Sequence, residues 1–246
     1  VQSIVLGGLA SRPAALYVAP GMVRLVLFDI DGTLIRSAGA GVGAFVQAFA
    51  DEFGIRDGVE QLQFAGRTDT SLVREVFEAH GIRPTPEHFR RFFDRYVFLL
   101  DERLRRLGGE IIPGVVPFLD RLARLPAPPL PGLLTGNIRL GAEIKLRHFG
   151  LWSRFRTGGF ADDAEDRAAI AAVARRRGER LLGRSLTGTE ILVVGDTPHD
   201  IRCARAIGAR VLAVATGGFS RDQLRPHEPC WLVEHLGEVE PEEVCA

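Results

Sequence analysis

The sequence predicts an α/β fold, a Rossmann-like parallel sheet core interrupted by one all-helical insertion. Three observations lead there. Short apolar runs rich in β-branched residues recur at 23–28, 190–196 and 210–215. Such runs suit strands buried on both faces. Helix-period segments at 115–125, 140–149, 166–178 and 200–207 lie between or after them, and this alternation marks parallel strands covered by helices. Residues 38–108 break the rhythm, with amphipathic segments near 42–53, 70–80 and 86–107 and no strand between them.

The segments follow in order. Residues 1–21 fit poorly with the rest and lack the basic start of a secretory signal. Met22, the only methionine, stands directly before the first convincing strand. The expectation is a start at Met22, with 1–21 a disordered or non-native extension. Residues 22–37 open the α/β core, 38–108 form the insertion, and 109–246 complete the core. Phe45, Phe49, Phe53, Phe89, Phe92, Phe93 and Phe98 supply the bulk of the insertion. Its two junctions, 36–43 and 108–114, read as Gly- and Pro-containing loops that make a hinge. Residues 130–135 are a weaker strand candidate because of Pro131 and Gly132.

Composition excludes several classes. The chain has 246 residues, 46% hydrophobic and 25% charged, with a formal net charge of +0. That balance exerts no general pull toward nucleic acid or anionic lipid. No apolar stretch approaches the ~20 residues of a membrane helix. Cys203, Cys230 and Cys245 are odd in number and form no C-x-x-C pair. They read as reduced thiols of a cytoplasmic protein. Of 31 basic residues only Lys145 is a lysine, which singles it out.

In a parallel sheet, ligands sit beyond the carboxyl ends of the strands. Four polar clusters fall at such ends: Asp29/Asp31, Thr135-Gly136-Asn137, Asp162-Asp163 and Asp196…Asp200. Asp29 and Asp31, at i and i+2, project to one side of an extended chain. Gly32 permits a sharp turn and Thr33 can bond back into it. Two like charges so close call for a hard cation with oxygen ligands, as Mg²⁺ is. A phosphate on that cation makes Asp29 a nucleophile that forms an aspartyl-phosphate. Asp31 then serves as the acid and base. The structural alternative is a turn with capping aspartates. The Thr135 hydroxyl and the Gly136 and Asn137 amides suit phosphate oxygens. Asp196 emerges at a strand end and Asp200 lies one helical turn on, with Thr197 and Pro198 starting the helix.

These motifs resemble a known family. "DIDGTL" is similar to motif I of the haloacid dehalogenase-like (HAD) hydrolases, "LLTGN" to motif II, and "VVGDTPHDIRCARAIGA" to motif IV. The helical insertion resembles the C1-type cap of the phosphoglycolate phosphatase-like branch. The resemblance spans about residues 22–220. It implies Thr135 as a phosphate ligand, with Gly32, Gly136 and Asn137 beside it. It also implies Asp196 as a metal ligand supported by Asp200, so that Asp29, Asp31, Asp196 and Asp200 make up the metal set.

Motif III departs from the pattern. That branch presents Lys-Pro after the third strand, whereas this chain reads "GGFADDAEDRAAI". Arg167 and Lys145 are the two candidates for the missing cation, and they are not interchangeable chemically. Asp162 and Asp163 are either acidic supports of the metal or caps of the following helix. In the cap, Arg67 is placed to reach over the substrate anion, or else is an exposed residue at a helix start. His80, His88, His148, His227 and His235 show no metal-ligand spacing, and His199 reads as a solvent-facing loop residue or a substrate contact.

The expectation is a Mg²⁺-dependent phosphatase acting on a small phosphorylated metabolite, as a monomer or small homo-oligomer. A haloacid dehalogenase lacks the second aspartate of motif I, so Asp31 argues against it. A phosphomutase of the β-phosphoglucomutase type and a catalytically decayed binding protein on the same fold stay open.

Overall fold

The computed structural model describes residues 21–246. The proposed extension at 1–21 therefore lies outside the described residues, apart from Gly21. Six parallel strands form the core sheet in the order β5-β4-β1-β6-β7-β8. They are β1 (Leu25–Phe28), β4 (Leu130–Leu134), β5 (Thr157–Gly159), β6 (Ile191–Gly195), β7 (Arg210–Val214) and β8 (Trp231–Val233).

β1 shows why its run is apolar throughout. Val26 and Phe28 face one layer, against Phe118 and Leu146, while Leu25 and Leu27 face the other, against Ile170 and Ala174. The first layer carries α4 (Val115–Leu122), α5 (Arg139–His148) and α9 (Pro241–Cys245). The second carries α6 (Arg167–Leu182), α7 (Pro198–Ala206) and α8 (Arg221–Leu224). A strand buried on both sides has no polar alternation to show.

Pro131 sits inside β4, where sequence alone made it suspect. Its carbonyl accepts from Arg156 N at 3.1 Å, on the side of the short edge strand β5. In a parallel ladder a residue's N–H and C=O point to the same neighbour. The missing N–H therefore falls where the edge strand is only beginning. β5 and β8 are absent from the sequence reading. Each has three residues, and β5 is Thr-Gly-Gly. Gly159 packs too close to Ile170 of α6 to admit a Cβ at ordinary distance (2.5 Å to Ile170 O). Close packing, not propensity, selects glycine there.

The insertion holds α1 (Ala40–Phe53), α2 (Asp69–Ala79) and α3 (Pro86–Leu107), with a 3₁₀ turn at Val59–Gln61. Thr68 and Thr85 cap α2 and α3 by accepting from Ser71 N and His88 N, each at 3.2 Å. Phe45, Phe49, Phe77 and Phe92 interlock edge-to-face and tilted at 4.4–5.6 Å between centroids, a geometry that adds to burial. Phe98 does not join this core. It is 62% exposed, under the Arg95 guanidinium at 5.4 Å.

The junctions also differ from the expected loops. β2 (Ile35–Arg36) and β3 (Glu110–Ile111) pair antiparallel, so a two-stranded ribbon joins the insertion to the core. Among the described residues no helix is long and apolar enough to cross a membrane. The three cysteines are unpaired.

Candidate active site

The carboxyl ends of β1, β4 and β6 and the loop after β7 meet beneath the insertion, around a cavity of about 320 Å³. Asp29 continues the β1 ladder, donating its N–H to Val194 O at 2.9 Å. The chain then leaves the sheet. Ile30 O accepts from the amides of Thr33, Leu34 and Ile35, and Gly32 takes φ +86°. This tight turn sends the two motif I carboxylates to different partners.

Asp29 lies with Asp196 and Asp200. Each of the three offers an oxygen within 4.8 Å of the others, and all three residues are buried. Asp31 stands outside this group. Lys145 Nζ holds both its oxygens, at 2.9 and 2.7 Å, and Asn137 Nδ2 donates to Oδ2 at 2.8 Å. Of the four carboxylates expected around a metal, three lie together and the Asp31 carboxylate stands apart, because the turn at Ile30 ends the extended geometry that aligns i with i+2.

Both candidate cations enter the site, on different carboxylates. Lys145 is 4% exposed and also donates to Asn137 Oδ1 at 2.7 Å. Arg167, the first residue of α6, lies between Asp29 Oδ1, at 3.3 Å, and Asp200 Oδ1. Its Nε is buried without a partner. Burial opposes its charge, but Asp200 and Asp29 outweigh that and raise its pKa above the ordinary value.

The electrostatics follow from three carboxylates facing one guanidinium. Burial first, and then the charge of Asp200, push the Asp29 carboxyl up to about 7, with Arg167 pulling the other way. Burial and the charges of Asp29 and Asp200 raise Asp196 well above the carboxylate range, against a hydrogen bond from Thr33. Thr33 Oγ1 donates to Asp196 Oδ1 at 2.9 Å. Gly32 and Gly217 press on the same carboxylate, and a Cβ at either would collide with Asp196 Oδ2. Asp200 accepts from Thr197 N at 3.0 Å and Thr197 Oγ1 at 2.7 Å in a capping box that starts α7. Three buried oxygen donors with unbalanced negative charge fit a hard divalent cation.

The remaining expected residues take definite places. Thr135 is buried, and its Oγ1 accepts from Asn137 N at 3.2 Å and Nδ2 at 2.8 Å. Gly136 and Asn137 line the cavity, whereas Thr135 does not. A Cβ on Gly136 would strike Arg67 O, so the insertion rests on this loop. Arg67 lines the cavity, but its guanidinium pairs with Glu75 at 2.6 Å. Asp162 accepts from Arg139 N at the start of α5, and Asp163 accepts from Phe160 N and pairs with Arg177. Neither caps α6; Asp166 does, accepting from Ala169 N at 2.8 Å.

Sequence reasoning missed Gly217, Tyr96 and Asp69. The pair Gly217-Gly218 follows a strand end, a usable signal. Tyr96 and Asp69 give no local signal, since they reach the cavity only through packing of the insertion. Asp69 ties insertion to core. Its N–H donates to Gly136 O at 2.7 Å, and its Oδ2 accepts from Ile138 N at 2.8 Å. Burial pushes its carboxyl up to about 7, although Lys145 pulls it down.

This has a consequence for pH. In the folded chain Asp69 keeps its proton to about 7, and in the unfolded chain it ionises near 3.8. Between those values the folded state binds the extra proton, so stability from Asp69 falls as pH rises from about 4 to 7. Asp69→Asn keeps the acceptor for Ile138 N and removes the titration. Thermal melts should show the wild-type Tm dropping more steeply than the variant's across that range. Parallel Tm–pH curves would remove Asp69 from this role.

The site is thus a buried acidic cluster at the strand ends of a parallel sheet, beneath a helical insertion. The family model for haloacid dehalogenase-like hydrolase matches residues 26–205. A phosphoglycolate phosphatase from Synechococcus elongatus is 30% identical over 215 residues, covering 86% of this chain and 93% of that protein. One from Rhodospirillum rubrum is 26% identical, covering 82% and 83%. The structure of CbbY from Rhodobacter sphaeroides in complex with phosphate shares the fold, with a TM-score of 0.70, 18% identity and coverage of 88% and 96%. The chain belongs to the haloacid dehalogenase-like hydrolase family and is a phosphatase-type enzyme of its phosphoglycolate phosphatase-like branch.

Proposed function

We propose that the enzyme hydrolyses a small phosphate monoester through an aspartyl-phosphate on Asp29, with Mg²⁺ held by Asp29, Asp196 and Asp200. The observation that carries this reading is the division of cations within one cavity. Arg167 lies on Asp29 and Asp200, and Lys145 lies on Asp31. A bound Mg²⁺ would supply positive charge against the phosphoryl oxygens and relieve repulsion among the carboxylates.

The residues divide the work. An Asp29 carboxylate oxygen attacks phosphorus, and the ester P–O bond breaks with its electron pair on the departing oxygen. Asp31 gives that oxygen a proton. A water then attacks phosphorus, Asp31 takes its proton, and the bond from phosphorus to Asp29 breaks to release inorganic phosphate. Oδ2 of Asp31 has two donors, Lys145 and Asn137, and Oδ1 has Lys145 alone. Oδ1 is therefore the oxygen that exchanges the proton. Gly136, Asn137 and Gly32 line the phosphate end, and Thr135 acts by holding Asn137. The insertion excludes water over the site. Arg67 reaches substrate only by leaving Glu75. We place the enzyme in the cytoplasm, on its three unpaired thiols.

The test is phosphate release from a panel of phosphorylated metabolites, with 2-phosphoglycolate first, as the relatives' activity suggests. Turnover of at least one small monoester is expected with Mg²⁺ and none after chelation. Full activity in chelator would remove the metal from the mechanism. Isomerisation of a sugar phosphate without phosphate release would make the enzyme a mutase.

A further inference from the structure

A second cavity lies along the β5 edge of the sheet. At about 460 Å³ it is larger than the catalytic one, and none of its lining residues belongs to the site described above. Arg139, Arg156, Arg177 and Arg180 converge on it, beside Trp152 and Phe155. Neighbouring arginines in this part of the fold hold carboxylates: Arg147 pairs with Glu143, Arg154 with Asp120, and Arg175 with Glu179. Among the described residues the guanidinium groups of Arg139, Arg156 and Arg180 have no such partner. Asp162 and Asp163 are already engaged as well. Asp162 accepts from the Arg139 backbone, and Asp163 holds Arg177. Arg139, Arg156 and Arg180 are exposed, and together they give the mouth of this cavity local positive charge in a chain with 31 basic and 31 acidic residues.

Two features narrow the ligand. The outer edge of β5 is blunted, because Arg177 Nη1 donates to Gly158 O at 2.8 Å. An extended peptide therefore cannot add there as a strand. The volume suits a small molecule. Guanidinium forks match phosphate oxygens, and the partly buried Trp152 and Phe155 side chains add apolar aromatic surface to the cavity wall. We propose that this cleft binds a nucleoside polyphosphate, with the phosphates on Arg139, Arg156 and Arg180 and the base against Trp152 and Phe155. The site is independent of the catalytic reading.

The chain has two tryptophans, and the second, Trp231, lies on β8 at the opposite sheet edge. Trp231→Phe leaves Trp152 as the sole reporter. Titration with ATP, without divalent metal, should give a saturable change in its emission. Adding Arg156→Glu and Arg180→Glu should weaken that binding by about tenfold or more. Turnover of p-nitrophenyl phosphate should stay within about twofold. Tripolyphosphate should bind more weakly than ATP. No saturable change, an unaltered response in the charge-reversed chain, or equal binding of tripolyphosphate would each overturn the proposal. If charge reversal disturbs folding by circular dichroism, Arg156→Gln with Arg180→Gln gives the same reading.

Discussion

Asp29→Asn is expected to lower turnover of p-nitrophenyl phosphate by on the order of 10⁴-fold or more, the scale on which loss of a nucleophile acts. The same change is expected to leave the metal-free Tm unchanged or raised. Asp29 is one of three buried carboxylates facing one guanidinium, and burial with Asp200 pushes its carboxyl up to about 7. A neutral amide removes one charge from that repulsion and still accepts from Arg167. Activity falls while stability holds, and this opposition separates a functional aspartate from a structural one. A variant that loses both together would make Asp29 a folding residue.

The second large effect is at Lys145. Among the described residues its ammonium alone holds both oxygens of Asp31 and also donates to Asn137 Oδ1. Lys145→Met should lower kcat by about 10²-fold through misplacement of Asp31. It should also cost about 1–3 kcal/mol of stability, from the Asn137 oxygen left without its donor. Lys145→Arg is expected to rescue little. A planar fork cannot reproduce the three directions in which the one ammonium donates, to Asp31 Oδ1, Asp31 Oδ2 and Asn137 Oδ1. Kinetics measured well below the variant's Tm distinguish positioning from mere stability, because kcat should stay low in folded Lys145→Met. Wild-type kinetics in Lys145→Arg would show that any buried cation suffices.

Much of this site was readable because its signals are local. A buried strand ending in Asp-x-Asp-Gly-Thr places Asp29 without reference to the rest of the chain. The Gly-Asp-Thr-Pro turn does the same for Asp196 and Asp200, since capping chemistry acts within four residues. The helical insertion was readable from its periodicity. What stayed hidden was pairing across long separations. Arg167 meets Asp29 across 138 positions and Lys145 meets Asp31 across 114, and nothing in either segment encodes its partner. The same limit explains Asp31. Its spacing from Asp29 suggested one shared partner, and only the turn closed on Ile30 O brings its carboxylate to Lys145. Arg67 read either as reaching over an anion or as an exposed residue at a helix start, and its partner Glu75, eight residues on, comes alongside only once α2 forms. β5 escaped because two of its three residues are glycines, Gly159 held close by α6 and Gly158 by Leu133 and Phe160.

The proposed chemistry makes Asp29 a covalent carrier, and acid-quenched single turnover with radiolabelled p-nitrophenyl phosphate and Mg²⁺ observes that carrier directly. The expected result is label on the peptide that contains residues 25–36, released by hydroxylamine as an acyl phosphate must be, and missing in Asp29→Asn. Phosphate release at the wild-type rate with no label on that peptide, or equal labelling of Asp29→Asn, would contradict it.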